Sequence, residues 1–181
     1  MAWIRMTGGG GGGGDVPATT ITEKVWESTF SRLDISDTTR FTQTTAGDTN
    51  TWGYSDAFTY DGYNCFGVTG ERAVNKKYYI TVKNIGPSIK CKIYCQGGSE
   101  GANWDYGFIY QGRFRLTENY SAAPTALATN IGGTSYTPVW TSEFFWGHND
   151  ILTIGWVEDG TNQVSPDNMG LAFYEIQLED V

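Results

Sequence analysis

Two runs, Lys77-Tyr78-Tyr79-Ile80-Thr81-Val82-Lys83-Asn84 and Ile89-Lys90-Cys91-Lys92-Ile93-Tyr94-Cys95, decide the fold class. Side chains on a strand alternate between its two faces, so a period of two marks a strand with one face buried. In the first run Tyr78, Ile80 and Val82 share one face, and Tyr79, Thr81 and Lys83 the other. In the second, Ile89, Cys91, Ile93 and Cys95 are expected to point inward, with Lys90, Lys92 and Tyr94 outward. Asn84-Ile85-Gly86-Pro87 between them reads as a turn, so the two runs are expected to pair as a hairpin.

The same signature extends in both directions. Val25 to Phe30, Arg40 to Thr44, Asp105 to Phe114 and Leu171 to Leu178 are rich in β-branched and aromatic residues. Asp150 to Glu158 places Leu152, Ile154 and Trp156 at period two. Ala57 to Val68 is broken by Asp61-Gly62 and is expected to form a hairpin or a bulge. No stretch sustains a helical period, and Pro124 to Ala128 is read as one helical turn at most. About eight short, turn-bounded strands predict an all-β fold, a two-sheet antiparallel sandwich of jelly-roll type. It is expected over residues 23–181, behind a glycine-rich leader over residues 1–22.

The 181 residues include 7 Trp, 11 Tyr and 9 Phe, more aromatic surface than a core of this size needs. Charged residues are 18%, below the usual quarter or so of a soluble domain, and the net charge is -8. A phosphate-binding surface needs clustered cations to release counterions. Here the 12 Lys and Arg are dispersed, with no run beyond Lys76-Lys77, which argues against nucleic acid and against an anionic membrane surface. No apolar run approaches the roughly 18 residues of a membrane-spanning helix. The three cysteines are Cys65, Cys91 and Cys95. Cys91 and Cys95 are separated by about 13 Å along a strand, beyond the roughly 4.4–6.8 Å between Cα atoms that a disulfide spans. They are expected as small buried apolar residues on one face. Cys65 is free to pair with either, but nothing requires it, and folding in a reducing compartment fits.

Met1 to Thr7 is apolar, Gly8 to Gly14 is unbroken glycine, and Asp15 to Thr22 is polar. Met1 to Met6 lacks the basic-then-apolar order of a secretory signal. Glycine loses the most backbone entropy on ordering, so the segment is either a flexible linker or a spacer behind a docking peptide. The second reading is preferred: Trp3, Ile4 and Met6 anchor the chain to a partner.

Chemistry-bearing motifs are sparse. The one histidine, His148, lies between Gly147 and Asn149 and reads as a turn residue rather than a catalytic base or metal ligand. The glycine run lacks the Lys-Ser/Thr of a phosphate-binding loop, and no strand precedes it. Glu158-Asp159-Gly160-Thr161-Asn162 and Pro166-Asp167-Asn168 supply hard oxygen donors that calcium would accept, but their Asp-Gly and Asp-Asn pairs read first as turns. The 20 acidic residues offer many carboxylate pairs, too unspecific to mark a glycosidase. No metal and no cofactor are expected. The aromatics carry more. Trp52, Tyr54, Tyr60 and Tyr63 lie among Gly, Asp and Asn; Trp104, Asp105 and Tyr106 adjoin; Phe144, Phe145 and Trp146 form a third group. Such rings fill a core, form an assembly interface or stack on sugars. For a glycan, the candidate contacts are Trp52, Tyr54, Trp104, Asp105, Tyr106 and Trp146.

Ser99-Glu100-Gly101-Ala102-Asn103-Trp104-Asp105-Tyr106-Gly107 and Ile154-Gly155-Trp156-Val157-Glu158-Asp159-Gly160, with Asp167-Asn168-Met169-Gly170 after it, carry a resemblance. From Tyr78 onward the chain resembles a jelly-roll module of bacteriophage proteins and of gut-bacterial surface proteins, with Glu158 where the module carries Lys. The resemblance implies a non-catalytic virion structural protein of a tail or fibre, located in the virion and assembled in the host cytoplasm. It would be anchored to other virion proteins by its leader, homo-oligomeric, and able to meet a cell-surface glycan. A capsid decoration or head-fibre protein is the near alternative. A carbohydrate-binding module is the second class and a glycosidase the third.

Overall fold

The computed structural model describes residues 24–48, 52–69, 76–98, 106–116, 123–131, 139–158 and 168–180. Among them there is no helix. In chain order the strands are β1 (Lys24–Leu33), β2 (Phe41–Gly47), β3 (Gly53–Tyr60), β4 (Tyr63–Thr69), β5 (Lys76–Asn84) and β6 (Ile89–Gly98). They continue as β7 (Tyr106–Gln111), β8 (Thr125–Ile131), β9 (Val139–Trp140), β10 (Phe144–Trp146), β11 (Ile151–Glu158) and β12 (Asn168–Asp180).

Two antiparallel sheets pack as a sandwich of jelly-roll type. The five-stranded sheet runs β2-β5-β11-β7-β8. The seven-stranded sheet runs β10-β6-β12-β4-β3, with β9 also on β6 and β1 also on β12. β12 is the axis of this sheet. Asn168 to Glu175 pair with β6 along one edge, while β4 and then β1 follow each other along the opposite edge.

The inward rows meet in one core. Tyr78, Ile80 and Val82 of β5 and Leu152, Ile154 and Trp156 of β11 come from one sheet, facing Ile89, Cys91, Ile93 and Cys95 of β6 and Leu171 and Phe173 of β12. Each such side chain withdrawn from water contributes about 1.5–3 kcal/mol before ordering entropy is charged against it. The alternation therefore assigned the faces of β5 and β6 as the sequence predicts. All three cysteines are free and buried, with Cys91 and Cys95 in this core and Cys65 on the opposite side of its sheet.

The expected hairpin between these two runs does not form. β5 pairs with β2 and β11, whereas β6 pairs with β12, β9 and β10 in the other sheet. A hairpin would lay both apolar rows on one face of one sheet. Crossing from sheet to sheet sets them opposite each other, and the core demands that. Asn84 holds the crossing: its Nδ2 donates to the carbonyls of Pro87 and Trp146, both at 2.9 Å, and its Oδ1 accepts from the Gly86 amide at 2.9 Å. This buried amide is thus satisfied on both ends. A second correction concerns Pro124 to Ala128, where β8 stands instead of a helical turn, with Leu127 and Ala128 packed on the core. The Ala57–Val68 hairpin does form, as β3 and β4. Asp61 (φ 53°) and Gly62 (φ 76°) supply the paired positive φ that a tight two-residue turn needs.

Thr141 connects the two short edge strands. Its amide donates to Ile93 O at 2.9 Å, and its Oγ1 accepts from Ile93 N at 2.9 Å. β9 and β10 therefore stay on the edge of β6 although only Thr141, Ser142 and Glu143 separate them, and this places Trp140 on the outer face of the sheet.

Candidate functional site

The outer face of the seven-stranded sheet is where strand geometry assembles a second aromatic group. On β12, Ala172 and Tyr174 point away from the core; on β6 their register partners are Tyr94 and Lys92. Trp140 of β9 lies opposite Tyr94, and Arg32 of β1 opposite Tyr174. Ala172 and Cys65 are small, so the β3–β4 hairpin can fold its Tyr60 ring over them. Tyr60 stacks on Tyr94 with centroids 3.7 Å apart and meets Trp140 and Tyr174 edge-on at 5.8 and 6.3 Å.

Two cations are woven into these rings. Lys92 Nζ lies 3.5 Å from the Phe30 centroid and 4.4 Å from that of Trp140. The Arg32 guanidinium lies 5.4 Å from the Tyr174 ring and 5.6 Å from the Tyr63 ring. Its Nη1 donates to the Tyr174 hydroxyl at 3.1 Å and, longer, to the Tyr60 carbonyl at 3.5 Å, and its Nη2 donates to the Asn64 carbonyl at 2.8 Å. Cation–π contacts of this kind contribute about 0.5–2 kcal/mol each. Burial raises the phenol pKa of both Tyr94 and Tyr174, with the Arg32 hydrogen bond opposing it at Tyr174, so both rings keep their protons in neutral water.

The result is a fixed surface that is not closed. Tyr94 and Tyr174 form a buried floor, while Trp140 is 39% exposed and Tyr63 61% exposed at the rim. Large rings held in place yet open to solvent lose little entropy when a flat apolar ligand face lands on them.

The outer face of the five-stranded sheet is different. Tyr79, Phe108 and Val157 are buried there under Tyr106, Tyr110 and Phe114, and Phe114 stacks on Tyr110 at 4.1 Å. The Phe114 amide donates to Thr153 Oγ1 at 3.1 Å, and Thr153 Oγ1 donates to the Gly112 carbonyl at 2.7 Å. This cluster is covered by its own chain. A cleft of about 240 Å³ remains beside it, lined by Thr44, Thr81, Arg113 and Arg115 among others.

The residues named from sequence are dispersed by the fold. Trp52 and Trp146, weighed as glycan contacts, are both in the inter-sheet core. Trp52 stacks on Phe66 at 6.2 Å, and Trp146 is 0% exposed against Phe41, its Nε1 donating to Asp150 O at 3.0 Å. Neither offers a ring face to a ligand. Tyr54 is partly exposed on β3, with its hydroxyl accepting from the Ile35 amide at 3.2 Å. Tyr106 belongs to the cluster on the five-stranded sheet. Trp104 and Asp105 lie outside the described residues, as do Trp3, Ile4 and Met6 of the expected anchor. Of the described candidates, only Trp52 and Tyr54 come near each other, through the Phe66 ring that both contact at 6.2 and 5.5 Å. The fold assembles Tyr60, Tyr63, Tyr94, Trp140 and Tyr174 instead. The outward placement of Tyr94 and Lys92 was readable from the alternation of β6. Trp140 sits on a two-residue strand, too short to show any period.

His148 is exposed in a turn beside Asn149, whose φ is 69°; its amide donates to Ser88 Oγ at 3.2 Å, and its Nδ1 lies 3.0 Å from Gly86 O. Glu158 is fully buried, with Oε2 accepting from the Tyr78 hydroxyl at 3.4 Å; Asp159 to Asp167 lie outside the described residues. Among the described residues no group of three or more His, Cys, Asp or Glu could hold a metal ion.

No protein-family model matches the chain, and no curated protein sequence matches it. Solved structures of similar architecture include the enzymatically active domain of tailspike protein 4 of bacteriophage CBA120, at 13% identity over 79% of this chain and 20% of that one, with a TM-score of 0.41. A family 29 carbohydrate-binding module from Piromyces equi is similar at 15% identity over 86% of this chain and 89% of that one, TM-score 0.39. A cleaved adhesin domain of Lys-gingipain, a protein of Porphyromonas gingivalis, is similar at 15% identity over 81% of this chain and 99% of that one, TM-score 0.45. The chain spans about a fifth of the length of the tailspike structure.

Proposed function

We propose that this chain is a non-catalytic glycan-binding β-sandwich, carried in a bacteriophage tail or fibre, that meets a cell-surface glycan with the outer face of its seven-stranded sheet. The observation that carries the binding reading is the exposed rim of Trp140 and Tyr63 above a fixed aromatic floor. A sugar presents an apolar C–H face to such a ring and its hydroxyls to the donors beside it, here Arg32 and Lys92. One such contact is weak. A millimolar site corresponds to about -4 kcal/mol, and several copies in one particle would raise the effective affinity by orders of magnitude. The virion setting follows the sequence resemblance.

Both halves are testable. On immobilised bacterial surface polysaccharides, Trp140→Ala and Tyr63→Ala are each expected to weaken retention at least about tenfold, or about 1.4 kcal/mol, while the sandwich stays folded with a melting temperature lowered by a few degrees at most. Retention equal to wild type in both variants would remove this face from the site. Deleting residues 1–14 is expected to leave the sandwich folded and to abolish incorporation into particles; normal incorporation would refute anchoring by the leader.

A further inference from the structure

Arg32 and Lys92 flank Tyr174 across the central strand, one from β1 and the other from β6. With neighbouring strands about 4.8 Å apart, their Cα atoms stand about 10 Å from each other. The chain carries -8 overall, and ion pairs among the described residues match Arg40 with Glu175, Lys76 with Asp48 and Lys90 with Glu143. Arg32 and Lys92 meet no carboxylate among the described residues. Arg32 donates only to neutral acceptors, two carbonyls and a phenol. Lys92 meets only the ring faces of Phe30 and Trp140. Asp61 is close enough to raise the Tyr174 pKa but forms no ion pair with either cation.

A guanidinium has five N–H donors, of which three are engaged here, and an ammonium has three, with none in a hydrogen bond among the described residues. Two cations that form no ion pair among the described residues thus stand together on an exposed aromatic face. We infer that the glycan met by this face is acidic, bearing carboxylates of the uronic-acid type; this rests on the glycan reading above. The sugar ring would lie against Trp140 or Tyr63. Its carboxylate would take the two remaining Arg32 donors, and Lys92 would act as a point charge beside it. The net charge of -8 opposes a polyanion at long range. At physiological salt that field is screened within about 8 Å, so the contact charges decide.

The experiment is titration calorimetry at neutral pH with oligomers of galacturonic, glucuronic and mannuronic acid, each set beside its methyl ester. The ester keeps the ring and removes the charge. The inference expects at least one acid oligomer to bind at least about tenfold tighter than its ester, and to weaken as ionic strength rises. Lys92→Met and Arg32→Gln should each lose most of that preference, and Arg32→Lys, which keeps the charge but not the fork, should retain part of it. Equal binding of acids and esters, unchanged in Lys92→Met, would overturn the acidic class and leave the aromatic site standing. No binding of any oligomer would overturn both.

Discussion

Trp140 and Trp146 lie on adjacent short strands and meet opposite fates. Trp146 shares β10 with Phe144, both inward, while Phe145 between them is 58% exposed. That alternation is present in the sequence, yet a run of three aromatics invites reading them as one cluster. Trp146→Ala is expected to cost about 3–5 kcal/mol of stability. Trp140→Ala, at a half-open rim, is expected to cost about 1 kcal/mol or less. Urea denaturation checks both, and comparable losses would mean that the outer face is a second core rather than a surface. The thiols make a pH prediction. Burial raises Cys65, pushes Cys91 up to about 12 and carries Cys95 beyond that. Protons therefore leave the unfolded chain first. The stability that these groups confer is complete below about pH 8.5 and declines as pH rises toward the folded values. The urea midpoint should fall between about pH 8 and about pH 10.5, and should fall less when Cys91 and Cys95 are both replaced by Ala. An equal decline in that variant would leave the thiols without a part in it.

At the scale of elements, period-two patterning assigned the faces of β5, β6 and β11 but not their partners. Facing rows on two sheets and neighbouring rows on one sheet have the same alternation. What separates them is the connection, and Asn84-Ile85-Gly86-Pro87 makes a crossing through long-range bonds that the local sequence does not show, from Asn84 to the Trp146 carbonyl and from the Ile85 and Gly86 amides to the Arg40 carbonyl. Likewise β8 is a strand because Leu127, Ala128 and Ile131 have a core to meet, which local propensity after a proline does not reveal. One close approach lies within the seven-stranded sheet. A Cβ added at Gly67 would stand 1.9 Å from the Met169 carbonyl oxygen, a backbone atom that can yield only by shifting β12 against β4. Gly67→Ala is therefore expected to destabilise by at least about 1–3 kcal/mol. Because β12 carries Ala172 and Tyr174, it should also weaken glycan retention. A variant as stable as wild type would contradict this packing of β4 on β12.

For the whole molecule, composition was a better guide to class than to site. Low charge, abundant aromatics and period-two runs specify an all-β sandwich, and the dispersed cations argue against a nucleic-acid surface. They do not reveal that Arg32, Lys92, Tyr60 and Trp140, far apart in the chain, converge on β12. That convergence depends on which strands flank β12, and only the three-dimensional pairing sets it. The measurement that tests the central claim most directly is amide NMR shift mapping during titration with a bound oligosaccharide. The largest shifts are expected at Arg32, Tyr63, Lys92, Tyr94, Trp140 and Tyr174, on the outer face of the seven-stranded sheet. Shifts confined to Tyr79, Phe108, Tyr110 and Phe114, on the outer face of the five-stranded sheet, would contradict it.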